Sequence, residues 1–268
     1  MRAILLTSTF RRHLFVANTV AAGCELAGVW QEEKTFRPER YAHDAADEAV
    51  IRRHFAARDE SEERYFAADS SLRLAPGAVH RMVAAGGCSD PAEASLMAAM
   101  RPDVVLVFGT GILRGPLLSA FDGRMLNIHL GLSPYYRGAG TNFWPLVNRE
   151  PEYVGATIHY LDAGIDTGPI LSHARPRIES GDDPHDIGNK TIMAAAQALL
   201  RAAAAHVSGV ARAVPQWSGG RLYQRKDFSA DAVETLYRNF ETGMIGEYLS
   251  TRASRDAALH LIEPENRA

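Results

Sequence analysis

Apolar residues in this chain fall in short unbroken runs rather than in strict alternation. Ala3 to Leu6 and Leu26 to Trp30 have the length and composition of strands buried on both faces, and Phe15 to Ala22 between them carries helical apolar spacing that Gly23 closes. Strand, helix, strand in that order is the unit from which parallel sheets are built. From Glu32 to about Gly87 the chain turns polar and charged, with a helix predicted at Asp47 to Phe66, and reads as peripheral cover. Sheet building resumes at Val104 to Phe108, which ends at Gly109, and continues through Met125 to Leu130, Val154 to Leu161 and Ile170 to Ala174. Pro184 to Val207 holds a long Ala-rich helix. Beyond Gly220 the composition changes: Arg221 to Phe228 is basic and aromatic, Ala230 to Thr251 reads as one helix, and Arg255 to Ala268 is a polar tail. The pattern predicts an α/β fold with a mostly parallel sheet flanked by helices. It also predicts a main unit over residues 1–219 and a C-terminal extension over 220–268 acting as substrate lid, dimer surface or edge cover.

Composition narrows the function. With 46% hydrophobic and 23% charged residues the chain can build an ordinary globular core. A formal net charge of -3 offers no bulk attraction to a polyanion, which favours small substrates over nucleic acid. Cys24 and Cys88 are too few for a disulfide framework or a four-ligand zinc site and suit a reducing compartment, so a cytoplasmic setting is expected. The run Met1 to Thr9 is followed, not preceded, by Arg11, Arg12 and His13, which reads as a first strand rather than a signal peptide. The Ala-rich stretch near 193–213 is interrupted by Arg201, His206 and Arg212, so no membrane span is expected.

Candidate chemistry gathers in the second half. In Met125-Leu126-Asn127-Ile128-His129-Leu130 strand alternation puts Asn127 and His129 on one face, roughly 6–7 Å apart, where two polar groups can address one reacting atom. Gly131 to Gly140 must then be an irregular loop, and loops at strand ends are where α/β folds seat ligands. The next strand runs into Asp162-Ala163-Gly164-Ile165-Asp166-Thr167-Gly168, a turn that presents two carboxylates, of which Asp166 can meet the imidazole. Gly109, Gly111 and Gly115 miss the dinucleotide-binding register by one residue, and Gly131 to Tyr135 lacks the closing glycine of a hydrolase nucleophile elbow. No His-Glu-x-x-His or Cys-x-x-Cys cluster argues for a metal, so metal-free chemistry is expected.

These motifs, in this order and spacing over roughly residues 103–175, resemble the catalytic core of the 10-formyltetrahydrofolate-dependent formyltransferases. That family includes glycinamide ribonucleotide, methionyl-tRNA and nucleotide-sugar enzymes. The matching residues are Asn127 and His129, the loop Pro134 to Gly138, and Asp166. The resemblance implies a Rossmann-like fold and transfer of the formyl group from 10-formyltetrahydrofolate to an amine. It implies that Asn127 and His129 stabilise the oxyanion while Asp166 accepts a proton or orients His129. It further implies folate contacts at Gly109, Leu113, Pro134, Asp162 and Ile165, largely through main-chain atoms, and acceptor contacts at Tyr136 and Arg137.

Two departures from the family pattern bear on the acceptor. The family often has a serine two residues after the histidine, where this chain has Gly131. At the first turn, where purine-pathway members carry a Gly-rich phosphate cradle, this chain has Ser8-Thr9-Phe10-Arg11-Arg12-His13, and Arg11, Arg12 or His13 is expected to grip an anionic part of the acceptor. Only about fifty residues follow Gly220, against the hundred-residue barrel of the methionyl-tRNA branch, and the first strand stands where hydrolase relatives carry a regulatory domain. The expected acceptor is therefore a small amine, an amino sugar on a nucleotide carrier or an amino acid, handled by a possible homodimer. A 10-formyltetrahydrofolate hydrolase and a folate-binding relative without turnover are the alternatives.

Overall fold

The computed structural model describes residues 1–35, 37–164 and 166–263. In chain order the elements are β1 (Arg2–Ser8), α1 (Arg11–Gly23), β2 (Glu25–Glu32), α2 (Ala45–Tyr65), β3 (Val79–Val83), α3 (Pro91–Ala99), β4 (Val104–Phe108), α4 (Pro116–Ala120), β5 (Met125–His129), β6 (Tyr136–Gly138), α5 (Phe143–Val147), β7 (Ala156–Tyr160), β8 (Ile170–Ala174), α6 (Pro184–Val207), β9 (Arg221–Tyr223), α7 (Ala230–Glu241) and α8 (Met244–Ala257). Seven strands form one sheet in the order β3-β2-β1-β4-β5-β7-β8. The first five are parallel, and β7 runs antiparallel to both β5 and β8. Strand order reverses at β1, so the sheet has the topological switch point at which folds of this class open a ligand crevice.

Alternation within the buried strands divides the core into two layers. Leu5, Leu106 and Leu126 pack with Val16 and Val20 of α1 and Ile192 and Leu199 of α6, while Ile4, Val105 and Val107 pack with Met97 of α3 and Leu117 of α4. Helix α6 starts cleanly because Asp183 accepts from the amides of His185 and Asp186, Asp186 returns a bond to the Asp183 amide, and Pro184 occupies the first turn.

Two expectations are revised. The region from Glu32 to Gly87 is not only cover, since Val79–Val83 extends the sheet as its edge strand. The helix expected over Ala230 to Thr251 is two helices that part at Thr242 and Gly243, where the Thr242 hydroxyl donates to the Arg238 carbonyl. The break lets Leu236 on one helix and Met244, Ile245 and Tyr248 on the other bury against Leu146, Val154 and Ile187. Among the described residues no helix is long and apolar enough to cross a membrane.

Candidate active site

A cleft of about 1220 Å³ opens beyond the carboxyl ends of β1, β2, β4 and β5. Gly109 to Leu113 line it, as do Asn127 and His129 together with Asp162, Gly164 and Asp166. Asn127 and His129 face the cleft together because they alternate with Leu126 and Ile128, which sit in the core.

Asp166 reaches this point by an unexpected route. Because β7 is antiparallel to β5, the turn after it begins beside the start of β5, where the Leu161 amide bonds the Met125 carbonyl. The turn must then fold back along the sheet to put an Asp166 oxygen 3.3 Å from His129 Nδ1, at the far end of β5. Several local contacts hold this path. Asp166 adopts a left-handed backbone (φ 52°), which aspartate tolerates better than most residues, and Gln216 Nε2 donates to the carbonyls of Asp166 and Gly168. Asp162 accepts from the Gly164 amide and the Thr167 hydroxyl, so its side chain shapes the turn.

The strand pairing supplies a fourth polar side chain, His159, directly opposite Asn127. His159 Nδ1 lies 2.8 Å from the Tyr160 carbonyl, which can only accept, so Nδ1 carries the proton and Nε2 accepts from Asn127 Nδ2 at 3.0 Å. An amide nitrogen bears two hydrogens, which leaves Asn127 a second one to offer. His159 Nε2 also lies 3.6 Å from the second Asp166 oxygen, beyond hydrogen-bond range. Burial pushes the Asp166 carboxyl up, but the His129 imidazole above all outweighs it and holds the group below the ordinary carboxylate range. Asp166 is therefore ionised, and His129 Nε2 is buried with no hydrogen-bond partner among the described residues.

The loop after β5 is pinned from behind. The Thr157 hydroxyl donates to the Gly131 carbonyl at 2.6 Å and accepts from the Ser133 amide at 2.8 Å, and the Thr141 hydroxyl donates to the Leu130 carbonyl. Gly131 has φ 155°, and a Cβ there would stand 2.5 Å from Thr141 Cβ, 2.6 Å from its hydroxyl and 3.0 Å from His129 Nε2. Thr141 thus fills the space that a serine at position 131 would enter.

Of the expected folate contacts, Gly109, Leu113 and Asp162 line the cleft. Pro134 does not: it is buried in a loop held by His173 donating to the Ser133 carbonyl and by the Arg221 amide donating to the Tyr135 carbonyl. Ile165 lies outside the described residues. Of the expected acceptor contacts only Arg12 reaches the lining, and it is already paired with Glu62 of α2. Arg11 is turned away because Glu63 takes its guanidinium at 2.7 and 2.8 Å. His13 is 3% exposed and packed on Phe108 against Gly109, whose missing side chain leaves the room the imidazole fills, since a Cβ there would stand 2.3 Å from His13 Nε2. Tyr136 is buried and bonded through its phenol to Glu150, Asn148 and Arg221, and Arg137 sits on the exposed β6, paired with Leu222, off the cleft.

Cations that sequence reasoning missed stand in the lining instead: Lys34, Arg37 and Arg40 beyond β2, and Arg225 and Lys226 in the 3₁₀ turn after β9. Lys34 donates to the Gly109 carbonyl; burial lowers its ammonium pKa, Glu32 opposes that, and Arg12 and Arg225 add to it. Nothing in the local pattern marks Lys34, Arg37 and Arg40, because surface Lys and Arg are usual everywhere, whereas Arg225 and Lys226 fall in the basic, aromatic stretch Arg221 to Phe228. His159 did carry a signal: it shares a predicted strand face with Thr157, one strand from the Asn127 and His129 pair.

The formyl transferase family model matches residues 42–203. The chain is 32% identical over 176 residues to a methionyl-tRNA formyltransferase of Aromatoleum aromaticum, covering 62% of this chain and 55% of that one. It is 35% identical over 117 residues to a phosphoribosylglycinamide formyltransferase of Mycobacterium tuberculosis, covering 43% and 54%. The chain thus spans about half the length of the curated relatives it matches. Among solved structures the fold is similar to that of a phosphoribosylglycinamide formyltransferase from Anaplasma phagocytophilum (TM-score 0.55, 14% identity, 84% of this chain and 98% of that one). It is equally similar to that of a sugar N-formyltransferase from a Shewanella species (TM-score 0.54, 16% identity, 85% and 78%).

Proposed function

This chain belongs to the formyl transferase family, and from that premise we propose that it transfers the formyl group of 10-formyltetrahydrofolate to the amine of a small molecule, an amino sugar on a nucleotide carrier or an amino acid. The observation that carries the reading is the convergence of Asn127, His129 and Asp166 on one wall of a cleft large enough for two substrates. The unpartnered His129 Nε2 supports it, since a buried polar atom left without a protein partner suits a substrate atom.

In this reading Gly109, Leu113 and Asp162 border the pteridine, and the formyl carbon lies before Asn127 and His129. As the amine bonds to that carbon, Asn127 Nδ2 and His129 Nε2, when protonated, donate to the oxygen that gains charge. The bond to the folate nitrogen then breaks, that nitrogen takes up a proton, and the new amide has lost one. Asp166 is better suited to fixing the His129 ring than to taking the proton itself, because a carboxylate held below its usual range is a weak base. His159 fixes Asn127 in turn. The main unit at residues 1–219 carries this chemistry, and the extension lends the cleft Arg225 and Lys226.

The test is release of tetrahydrofolate from 10-formyltetrahydrofolate by the wild type and His129→Ala, with and without panels of amino sugars, amino acids and aminoacylated tRNA. Release that needs a small amine and disappears in the variant is expected. Release at equal rate without any amine would make the protein a hydrolase, and release only with the tRNA would overturn the small-molecule acceptor.

A further inference from the structure

Six cations and three acids line the cleft, and this distribution is local, because the chain as a whole carries a net charge of -3. Arg37, Arg40, Arg225 and Lys226 have no ion-pair partner among the described residues, unlike Arg11 and Arg12 on the neighbouring helix, which Glu63 and Glu62 neutralise. Glu33 and Asp162 are the acids on the lining besides Asp166, and Asp162 is committed to its own turn. The four free cations come from two stretches nearly two hundred residues apart, one after β2 and one in the extension. The fold sets the two stretches side by side: the Tyr41 ring meets Phe228 edge-on at 5.1 Å, and Phe228 packs on Phe55 and Phe143. Like charges drawn together repel, and the effect reaches Lys34, whose ammonium the Arg225 charge disfavours. An arrangement unfavourable in the free protein becomes favourable when an anion enters, and guanidinium forks match phosphate oxygens in pairs.

On the reading of a small-amine acceptor given above, we infer that Arg37, Arg40, Arg225 and Lys226 form a wall that binds the acceptor through a diphosphate, or an equivalent group with at least two phosphate charges. The grip expected at the first turn is thereby moved to the loop after β2 and to the extension. The extension is then a part of the acceptor site, and a chain cut before Arg225 lacks half of the wall.

The experiment uses the full chain with tetrahydrofolate bound and follows binding of inorganic pyrophosphate, UDP, dTDP and GDP by calorimetry. Pyrophosphate and at least one nucleoside diphosphate should bind, and R37Q/R40Q and R225Q/K226Q should each weaken that binding by about ten-fold or more, as expected for lost charge-assisted bonds. Affinity for tetrahydrofolate should stay within about two-fold in both, and R201Q, on the exposed side of α6, should behave as wild type. All four wall residues are exposed, and the two pairs are tested separately so that misfolding of one leaves the other decisive. The inference is overturned if the wild type binds none of the probes, if both pairs bind them as wild type does, or if the pairs lose affinity for a polyglutamylated tetrahydrofolate instead. Binding needs no turnover, so a wild type that binds the probes yet transfers no formyl group would sink the proposed reaction and leave the wall standing.

Discussion

Replacing Gly131 by serine restores the residue that the family often carries, yet in this chain it should be damaging. The new Cβ would lie 2.5 Å from Thr141 Cβ and 2.6 Å from its hydroxyl, whereas carbon atoms in contact prefer about 3.5–4.0 Å, so roughly 1 Å of movement is required. Thr141 is 4% exposed and tied to the Leu130 carbonyl, so it cannot swing aside without losing that bond. Overpacking of this kind costs about 1–3 kcal/mol. The backbone at φ 155° adds a similar amount for a residue with a side chain, on the order of 1–3 kcal/mol. The expected loss is therefore about 2–5 kcal/mol, a large share of the roughly 5–15 kcal/mol that a domain has. Urea unfolding of the wild type, G131S, T141G and G131S/T141G measures it directly, because only glycine at 141 removes both the Cβ and the hydroxyl in the way. The double variant should recover about 1–3 kcal/mol, the packing part, and keep the backbone part. The rate of folate release should fall with G131S as well, because the same Cβ stands 3.0 Å from His129 Nε2. A G131S protein as stable as wild type, or one that T141G does not rescue, would show that the loop yields easily and that Thr141 does not set the identity of residue 131.

Further outcomes follow from the same geometry. Asp166→Asn should lower the single-turnover rate by about 10²–10⁴-fold while leaving tetrahydrofolate affinity within about three-fold, and a loss confined to affinity would assign Asp166 to binding. His159→Ala should reduce the rate by a smaller factor that largely vanishes in the Asn127→Ala background; independent, additive losses would break the proposed link between the two. Arg11→Ala should leave the acceptor KM unchanged and cost at most about 1 kcal/mol, since its partner Glu63 is exposed, and a raised KM would return Arg11 to the acceptor site. His54 and His173 are held neutral chiefly by burial, with His185 and Arg58 adding to the effect at His54 and the bond to Ser133 opposing it at His173; their values fall to about 3 and about 4. Unfolded histidines protonate at about 6.5, so the unfolded state binds more protons between those limits and stability should decline as pH falls from about 6.5 toward 4. A urea midpoint that stays flat from pH 7 to pH 4.5 would contradict this.

The unbroken apolar runs at Ala3 to Leu6 and Val104 to Phe108 can be satisfied only by burial on both faces, so the parallel core was legible from the chain alone, as were the long α6 and the shared face of Asn127 and His129. These follow from backbone periodicity, which acts within a few residues. The direction of β7 is set by pairing across the sheet and leaves no local trace, and on it depend the path of Asp166 across the site and the meeting of His159 with Asn127. The fate of each arginine was equally invisible. Arg11 and Arg225 look alike as cations in sequence, and only the tertiary structure gives one of them Glu63 and leaves the other in the cleft with no ion-pair partner among the described residues, because electrostatic partners are chosen by distance in space and not along the chain.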